Sequence, residues 1–359
     1  MLHAVIMAGG SGTRFWPAST QRLPKQLLKL YGDQTMIQST VNRLGSLVRQ
    51  EDVLVVTNER LVEETQKQLP EIPKHQIVGE PAKRDTAPCI GLAAAMIAQK
   101  DPEGIMLVMP ADHVIQQADN FQNAIKLAVK TIRSHPGRFV TFGIKPTYPA
   151  ESFGYVERGE SQGTPEEGEL FAVKTFREKP DKKTATEFLD SGNFYWNSGI
   201  FVWTAKSVFS AIEKHQPEMH SHLKKIQDAI DTQHFDQVFE TEFKAINGTS
   251  IDYAIMEHYD DISVMEAPFD WDDVGTWQAV GRLIAADRNG NSTLGKTINL
   301  ETNNSIIHAE EGHLVATLGL EDCIVVQTGN ATLVAHKSKE ESIRALVKEI
   351  ETNQWNEFL

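Results

Sequence analysis

Apolar positions along the first 145 residues follow two alternating rhythms. Unbroken apolar runs at Ala4–Ala8, Val53–Thr57, Ile105–Met109 and Phe139–Ile144 predict strands buried on both faces, and Gln76–Gly79 predicts a shorter one. Between them, Met36, Ile37, Thr40, Val41, Leu44, Leu47 and Val48 recur at helical spacing. Glu59–Leu69, Ala87–Gln99 and Phe121–Ile132 predict further helices. Alternation of this kind predicts an α/β fold with a doubly wound, mostly parallel, Rossmann-like sheet. After Lys145 the rhythm changes. Gly154–Gly159 and Leu170–Phe176 predict strands around a Gly/Glu-rich turn, and Tyr195–Trp203 predicts another. Ala205–His258 predicts mostly helix, and strand Ile262–Ala267 with helix Trp277–Ala286 closes the region. Short β runs follow at Thr293–Asn299, Ser305–His308, His313–Thr317, Cys323–Gln327 and Thr332–Ala335, and then a final helix at Glu340–Thr352. The Asn289-Gly290-Asn291 turn marks the expected boundary: an α/β domain over 1–289, and a small C-terminal β appendage with a terminal helix over 290–359.

Charge narrows the function classes. The 359 residues carry 35 Lys+Arg against 49 Asp+Glu, a formal net charge of −14. That balance argues against a nonspecific nucleic-acid binder, which needs basic patches for phosphate. It leaves small phosphorylated substrates open, because a local basic cluster can sit inside an acidic whole. Cys89 and Cys323 have no paired spacing, so neither a disulfide framework nor a zinc knuckle is expected, and a reducing cytoplasm fits. The start MLHAVIMAGG has no basic segment and reads as a first strand rather than a signal peptide. No run approaches the ~20 apolar residues of a membrane span. The sequons at Asn247, Asn291, Asn303 and Asn330 are then idle, and His215, His220 and His222 read as a solvated helical face.

Chemistry concentrates after the first strand. Gly9-Gly10-Ser11-Gly12-Thr13-Arg14 is a glycine-rich turn that lets backbone N–H groups approach phosphate. Phe15 stands where a Rossmann motif needs its third glycine, and no Gly-Lys pair makes a P-loop. Phosphate cradle and tight turn therefore both fit the glycines alone. Arg14 and the later Pro24-Lys25 add fixed positive charge. Pro110-Ala111-Asp112-His113 places a carboxylate at the end of a buried strand, where ligands bind in open α/β sheets; a simple turn cap is the plainer reading. Asp270-Trp271-Asp272-Asp273-Val274-Gly275-Thr276-Trp277 puts three carboxylates in four residues before a helix. Glu80-Pro81-Ala82-Lys83-Arg84-Asp85-Thr86-Ala87-Pro88 carries a helix-start signal. Phe153-Gly154-Tyr155, Arg177-Glu178-Lys179-Pro180 and Trp196-Asn197-Ser198-Gly199 each read locally as strand glycines, charged strand ends or turns.

Taken in order, these motifs resemble the sugar-nucleotide pyrophosphorylases, and more closely the guanylyltransferase branch that makes GDP-mannose. Phe15 and Pro17-Ala18 depart from the branch's usual Leu and Pro-Leu without touching the chemistry. The resemblance implies a Mg²⁺-assisted enzyme that joins GTP to mannose 1-phosphate by in-line attack on the α-phosphorus. It makes Arg14 and Lys25 catalytic. Gly9, Gly10, Ser11, Gly12, Thr13, Glu80, Arg84 and Thr86 become nucleotide-binding, and Glu80 is an apt reader of guanine N–H donors. Gly154, Glu178, Lys179 and Asn197 are assigned to the sugar phosphate, and Asp112 and Asp273 to the metal, with Asp270 and Asp272 structural. The resemblance further implies a partial β-helix as the tail and a homodimer. Related bifunctional enzymes add a C-terminal isomerase domain of cupin type; with the chain ending at Leu359, isomerase activity is not expected. Two alternatives stay open: a pyrophosphorylase for another nucleotide or hexose 1-phosphate, and a noncatalytic sugar-nucleotide-binding regulatory subunit.

Overall fold

A computed structural model describes residues 1–10, 12–163 and 169–359. Part of the Gly/Glu-rich turn, and Ser11 of the glycine loop, lie outside the described residues. The strands are β1 (Leu2–Ala8), β2 (Val53–Asn58), β3 (Ile77–Glu80), β4 (Ile105–Pro110), β5 (Val114–Ile115), β6 (Phe139–Ile144), β7 (Tyr155–Ser161), β8 (Leu170–Arg177), β9 (Phe194–Thr204), β10 (Ile262–Glu266), β11 (Trp271–Asp272), β12 (Ser292–Leu294), β13 (Lys296–Leu300), β14 (Ile306–Ala309), β15 (Leu314–Leu318), β16 (Cys323–Gln327) and β17 (Thr332–His336). The α-helices are α1 (Met36–Asn42), α2 (Val62–Gln68), α3 (Thr86–Lys100), α4 (Ala118–Ser134), α5 (Lys182–Ser191), α6 (Ala205–His215), α7 (Pro217–Ala229), α8 (Phe235–Ala245), α9 (Trp277–Leu283) and α10 (Ile343–Thr352).

The chain forms two compact units that interleave in sequence. The first holds Met1–Gly9, Val41–Ala111 and Ile115–Trp271, and the second Gly10–Thr40, Asp112–Val114 and Asp272–Leu359. The first unit is built on a nine-stranded sheet in the order β3-β2-β1-β4-β9-β6-β10-β8-β7. Strands β3, β2, β1 and β4 are mutually parallel, as their continuous apolar runs predict. The sheet turns mixed at β9, which lies antiparallel to both β4 and β6. The run that forms β9 is as apolar as those of the parallel strands beside it, so the pattern does not mark it as the strand that reverses. Val5, Val56, Val108, Phe201 and Trp203 join Ala87–Ala94 of α3 and Leu223 of α7 in the main core.

Helix details follow local chemistry. The predicted Met36–Val48 helix ends at Asn42, and a 3-10 turn at Gly45–Leu47 takes over, with Gly45 at φ +51°. Helix α5 adds to the elements that the apolar pattern predicts. Its local signals are a cap and a stop: Asp181 accepts a bond from the Thr184 N–H at 2.8 Å, and Gly192 closes it at φ +68°. The long helical stretch from Ala205 divides into α6, α7 and α8, with a Thr204 cap before α6, Pro217 opening α7 and a π-turn at Asp252–Met256 beyond.

The second unit combines the glycine loop with the tail. Its sheets are β12-β14-β16-β17, parallel except for β17, and the parallel pair β13-β15. Neighbouring coils align Ser292 with Ile306 and Ile306 with Ile324, a short β-helix. Buried Asn291 laces the first coils, donating to the Thr302 carbonyl at 2.8 Å and accepting from the Ser305 N–H at 3.0 Å. Ile306, Ile324, Val326 and Leu333 of this β-helix share one core with Phe15, Trp16, Trp277 and the apolar face of α10, Ile343, Val347 and Ile350. The tail therefore packs against the loop that carries Arg14.

Candidate active site

Strands β1 and β4 are parallel neighbours, with Met7 opposite Pro110. Their carboxyl ends lead into the glycine loop and into Asp112, which is where an open α/β sheet presents ligand-binding groups. In the second unit, Gly12, Thr13, Arg14, Phe15, Lys25, Asp112, His113, Asp273, Gly275 and Arg344 line a cavity of about 220 Å³. Gly12 opens the 3-10 turn Thr13–Phe15 at φ +58°. A Cβ there would sit 2.7 Å from the Lys25 Cβ and 2.8 Å from its backbone nitrogen, so only glycine allows the loop to close on Lys25. Ser19 locks the turn by donating to the Gly12 carbonyl at 2.8 Å.

Lys25 is buried, and its ammonium donates to Asp112 Oδ2 at 2.8 Å and to the Asp273 carbonyl at 2.6 Å. This brings together the lysine and both carboxylates that the motifs placed 87 and 248 residues apart. Burial alone would push the Asp112 carboxyl up, but Lys25 and His113 outweigh it and hold it below the usual range. Asp273 is raised, by burial first and by Asp272 and Asp112 beyond that, against the opposing pull of Lys25. Its Oδ1 accepts the Gly275 N–H at 3.2 Å. The other two carboxylates of the motif have structural work. Asp272 accepts from the Val274 N–H at 2.7 Å and pairs with Arg282 at 2.9 Å, and Asp270 accepts from Gln117 at 3.0 Å.

No cluster of three or more His, Cys, Asp or Glu fit to hold a metal occurs among the described residues. Asp112 and Asp273 nevertheless fit a hard divalent cation that takes the rest of its oxygen shell from phosphates and water. Arg14 donates from Nη1 to the Gly275 carbonyl at 3.3 Å, and its Nε lies 3.3 Å from Glu341 Oε2.

The first unit carries two more of the predicted groups. Glu80 ends β3 and is 7% exposed. Its Oε1 is buried without a hydrogen-bond partner, and a Cβ on Gly9 would stand 3.5 Å from its Oε2. Burial pushes the Glu80 carboxyl up to about 8, against a lowering contact from the Cys89 thiol. Arg84 does not pair with Glu80; its guanidinium donates to the Lys244 carbonyl at the end of α8. The Thr86 hydroxyl accepts the Ile251 N–H at 2.8 Å, and the Thr86 N–H meets the Asp85 side chain at 2.8 Å, so this threonine is used in starting α3.

The remaining group surrounds Asn197. A Cβ on Gly154 would lie 2.5 Å from Glu178 Oε2. Lys179 reaches Glu178 Oε1 at 2.5 Å. Asn197 donates to Asp252 Oδ1 at 3.0 Å, while its Oδ1 accepts from the Thr141 hydroxyl at 3.3 Å and the Gly199 N–H at 3.2 Å. Asp252 escapes a reading of the sequence because nothing marks it among helical neighbours. Its carboxyl is raised to about 7, by burial first and by the Glu178 charge next. The three histidines read as a solvated face have local partners instead: His222 meets Glu242 at 2.6 Å, and His220 and His215 pack on Phe209 and His258.

Comparison with known proteins fits this arrangement. Residues 3–290 match the nucleotidyl transferase family, and residues 295–350 match a mannose-phosphate isomerase/GMP-like β-helix domain. A mannose-1-phosphate guanylyltransferase of Escherichia coli (strain K12) is 39% identical over 98% of this chain and 74% of its own. A relative of the same description from Klebsiella pneumoniae is 36% identical over 100% of this chain and 76% of its own. The crystal structure of a mannose-1-phosphate geranyltransferase from Thermus thermophilus matches 98% of this chain and 99% of that one, at 30% identity and a TM-score of 0.87. Likeness of this extent, over both the α/β region and the β-helix, leaves one conclusion: the chain belongs to the mannose-1-phosphate guanylyltransferase family of nucleotidyl transferases.

Proposed function

We propose that the protein transfers GMP from GTP to mannose 1-phosphate, releasing pyrophosphate and GDP-mannose. The observation that carries this reading is the buried Lys25 ammonium, held by the Asp112 carboxylate and the Asp273 carbonyl beside the Gly12 turn. An ionised sugar phosphate attacks the α-phosphorus in line and pyrophosphate leaves, so no protein nucleophile is required. Catalysis is then positioning and charge stabilisation. The loop amides from Gly9 to Thr13 and the Arg14 guanidinium hold the β- and γ-phosphates. Lys25 faces charge developing around the α-phosphate. Mg²⁺ held by Asp112 and Asp273 would supply Lewis-acid stabilisation of phosphate charge. Glu178, Asn197 and the Gly154 backbone suit sugar hydroxyls, and Lys179 suits the sugar phosphate. Arg84 and Thr86 keep only a secondary nucleotide role, since their polar groups already serve α8 and α3. Pyrophosphate release over a matrix of nucleoside triphosphates and hexose 1-phosphates tests the reading. Turnover confined to GTP with mannose 1-phosphate is expected, and equal rates with UTP or dTTP would sink the guanine assignment.

Glu80 makes that assignment testable by pH. Guanine N–H donors stabilise the ionised carboxylate, whereas burial leaves the free side chain protonated below about 8. Binding GTP therefore expels a proton at neutral pH, and affinity rises with pH until it levels above that value. The expected gain between pH 7 and pH 9 is about tenfold, and Glu80→Gln flattens it. A flat wild-type profile in a titration of GTP binding would remove Glu80 from base reading.

The 289/290 boundary is retained as part of the proposal, supported by where the two family matches end and begin. No helix among the described residues is long and apolar enough to cross a membrane, which suits the proposed cytoplasmic location. The homodimer is also retained. Ile298, Leu300, Leu314 and Leu318 form an exposed apolar row on β13 and β15, between 51% and 69% exposed, which supports self-association. Sedimentation should give twice the chain mass of 40.1 kDa, and a monomer at micromolar concentration overturns the dimer.

A further inference from the structure

The C-terminal helix α10 and the 3-10 turn ahead of it bring two charged side chains to the phosphate site that the motifs leave unused. Arg344 lines the same cavity as Arg14, Lys25, Asp112 and Asp273. It lies on the first turn of α10, exposed, and makes no ion pair or hydrogen bond among the described residues. Glu341, one turn earlier, is 67% exposed at its side chain and stands against Arg14 Nε. Arg14 Nε is buried, and the contact to Glu341 does not have hydrogen-bond geometry, so that N–H is unsatisfied.

Both positions are fixed rather than accidental. Beside the flank that carries Arg344, α10 buries Ile343, Val347 and Ile350 in the core that holds Phe15 and Trp16, the residues next to Arg14. The segment ahead of the helix is tied down by Gln278, whose backbone N–H donates to Glu340 Oε2 at 3.1 Å and whose side-chain amide donates to the Lys337 carbonyl at 3.3 Å. An arginine without a partner, beside a lysine and a second arginine, invites an anion of more than one charge. A loosely matched carboxylate on Arg14 is the kind of contact a phosphate oxygen replaces with better geometry.

We propose that Arg344 is a phosphate-binding residue for the pyrophosphate portion of the substrate, and that Glu341 occupies Arg14 only until that phosphate displaces it. The inference rests on the phosphate-site reading above and deepens it. The β-helix tail then completes the phosphate site, through the helix it carries.

The probe is inorganic pyrophosphate with Mg²⁺, titrated calorimetrically into the full chain. Arg344→Ala should weaken binding about tenfold or more, as loss of a charge-assisted contact does, and Arg344→Lys should recover part of it. Glu341→Gln should tighten binding a few-fold, because Arg14 no longer exchanges one anion for another. With GTP as substrate, Arg344→Ala should raise KM more than it lowers kcat. Both side chains are exposed, so unchanged thermal melting is expected in each variant. Pyrophosphate binding within twofold of wild type in Arg344→Ala, or unchanged or weaker binding in Glu341→Gln, overturns the inference. Selective turnover of GTP by the wild type together with those null shifts would leave the proposed reaction standing and remove only this step. Loss of that selectivity with the pyrophosphate shifts intact would do the reverse.

Discussion

Lys25→Ala should lower kcat on the order of 10³-fold at saturating substrates, measured as pyrophosphate release. The ammonium is 7% exposed at its side chain and donates two of its three N–H groups within the protein, so it acts in a setting where water screens little. Removing it takes away the charge proposed to face the α-phosphate. It also leaves Asp112 and Asp273 without their cation, and Lys25 is the group that pulls both carboxyls toward ionisation. A triphosphate would then approach two poorly compensated carboxylates. Lys25→Arg should not rescue turnover. Contacts of 2.6 and 2.8 Å to a carbonyl and a carboxylate hold a compact point charge, and a planar guanidinium cannot take that place beside Gly12. Turnover within tenfold of wild type in Lys25→Ala would end the catalytic assignment.

Local signals in the sequence singled out the members of this site, whereas the roles proposed for them came from the family resemblance. Gly12 must be glycine for its φ and for the approach of Lys25. Asp112 follows a strand whose apolar run is continuous, and Asp273 sits among carboxylates whose neighbours are accounted for by turn and ion-pair contacts. Asp252, Glu341 and Arg344 were not legible. Asp252 joins the proposed sugar group only through its hydrogen bond with Asn197, 55 residues before it, and an aspartate in a helical stretch carries no signal of that contact. Arg344 and Glu341 look like ordinary solvated positions of an amphipathic helix. Their meaning depends on the tail packing its apolar face against Phe15 and Trp16, a contact more than 300 residues long-range in sequence. The fold shows the same division. Apolar runs located β1, β2, β4 and β6, but the reversal at β9 is a property of topology rather than of composition.

The two carboxylates can be separated by what each does for Lys25. Asp112 holds the ammonium through its side chain, whereas Asp273 holds it through a backbone carbonyl. Asp273→Ala therefore deletes a carboxylate and keeps Lys25 anchored, while Asp112→Ala removes a carboxylate and releases Lys25 at once. Asp273→Ala should lose about 10³-fold in kcat with its apparent Mg²⁺ requirement raised, since one of the two carboxylates proposed to hold the metal is gone. Because Lys25 stays in place, excess Mg²⁺ should restore part of that loss. Asp112→Ala should lose at least as much and respond little to excess Mg²⁺, because its defect includes a displaced lysine that no metal replaces. Combining each with Lys25→Ala makes the difference quantitative: groups that act through one another lose less together than the product of their separate losses. The Asp112 and Lys25 pair should be strongly non-additive, and the Asp273 and Lys25 pair closer to additive. Near-normal turnover of Asp273→Ala with Mg²⁺ would show that this carboxylate does not hold the metal, and equal coupling of both carboxylates to Lys25 would show that the backbone contact is not what positions the ammonium.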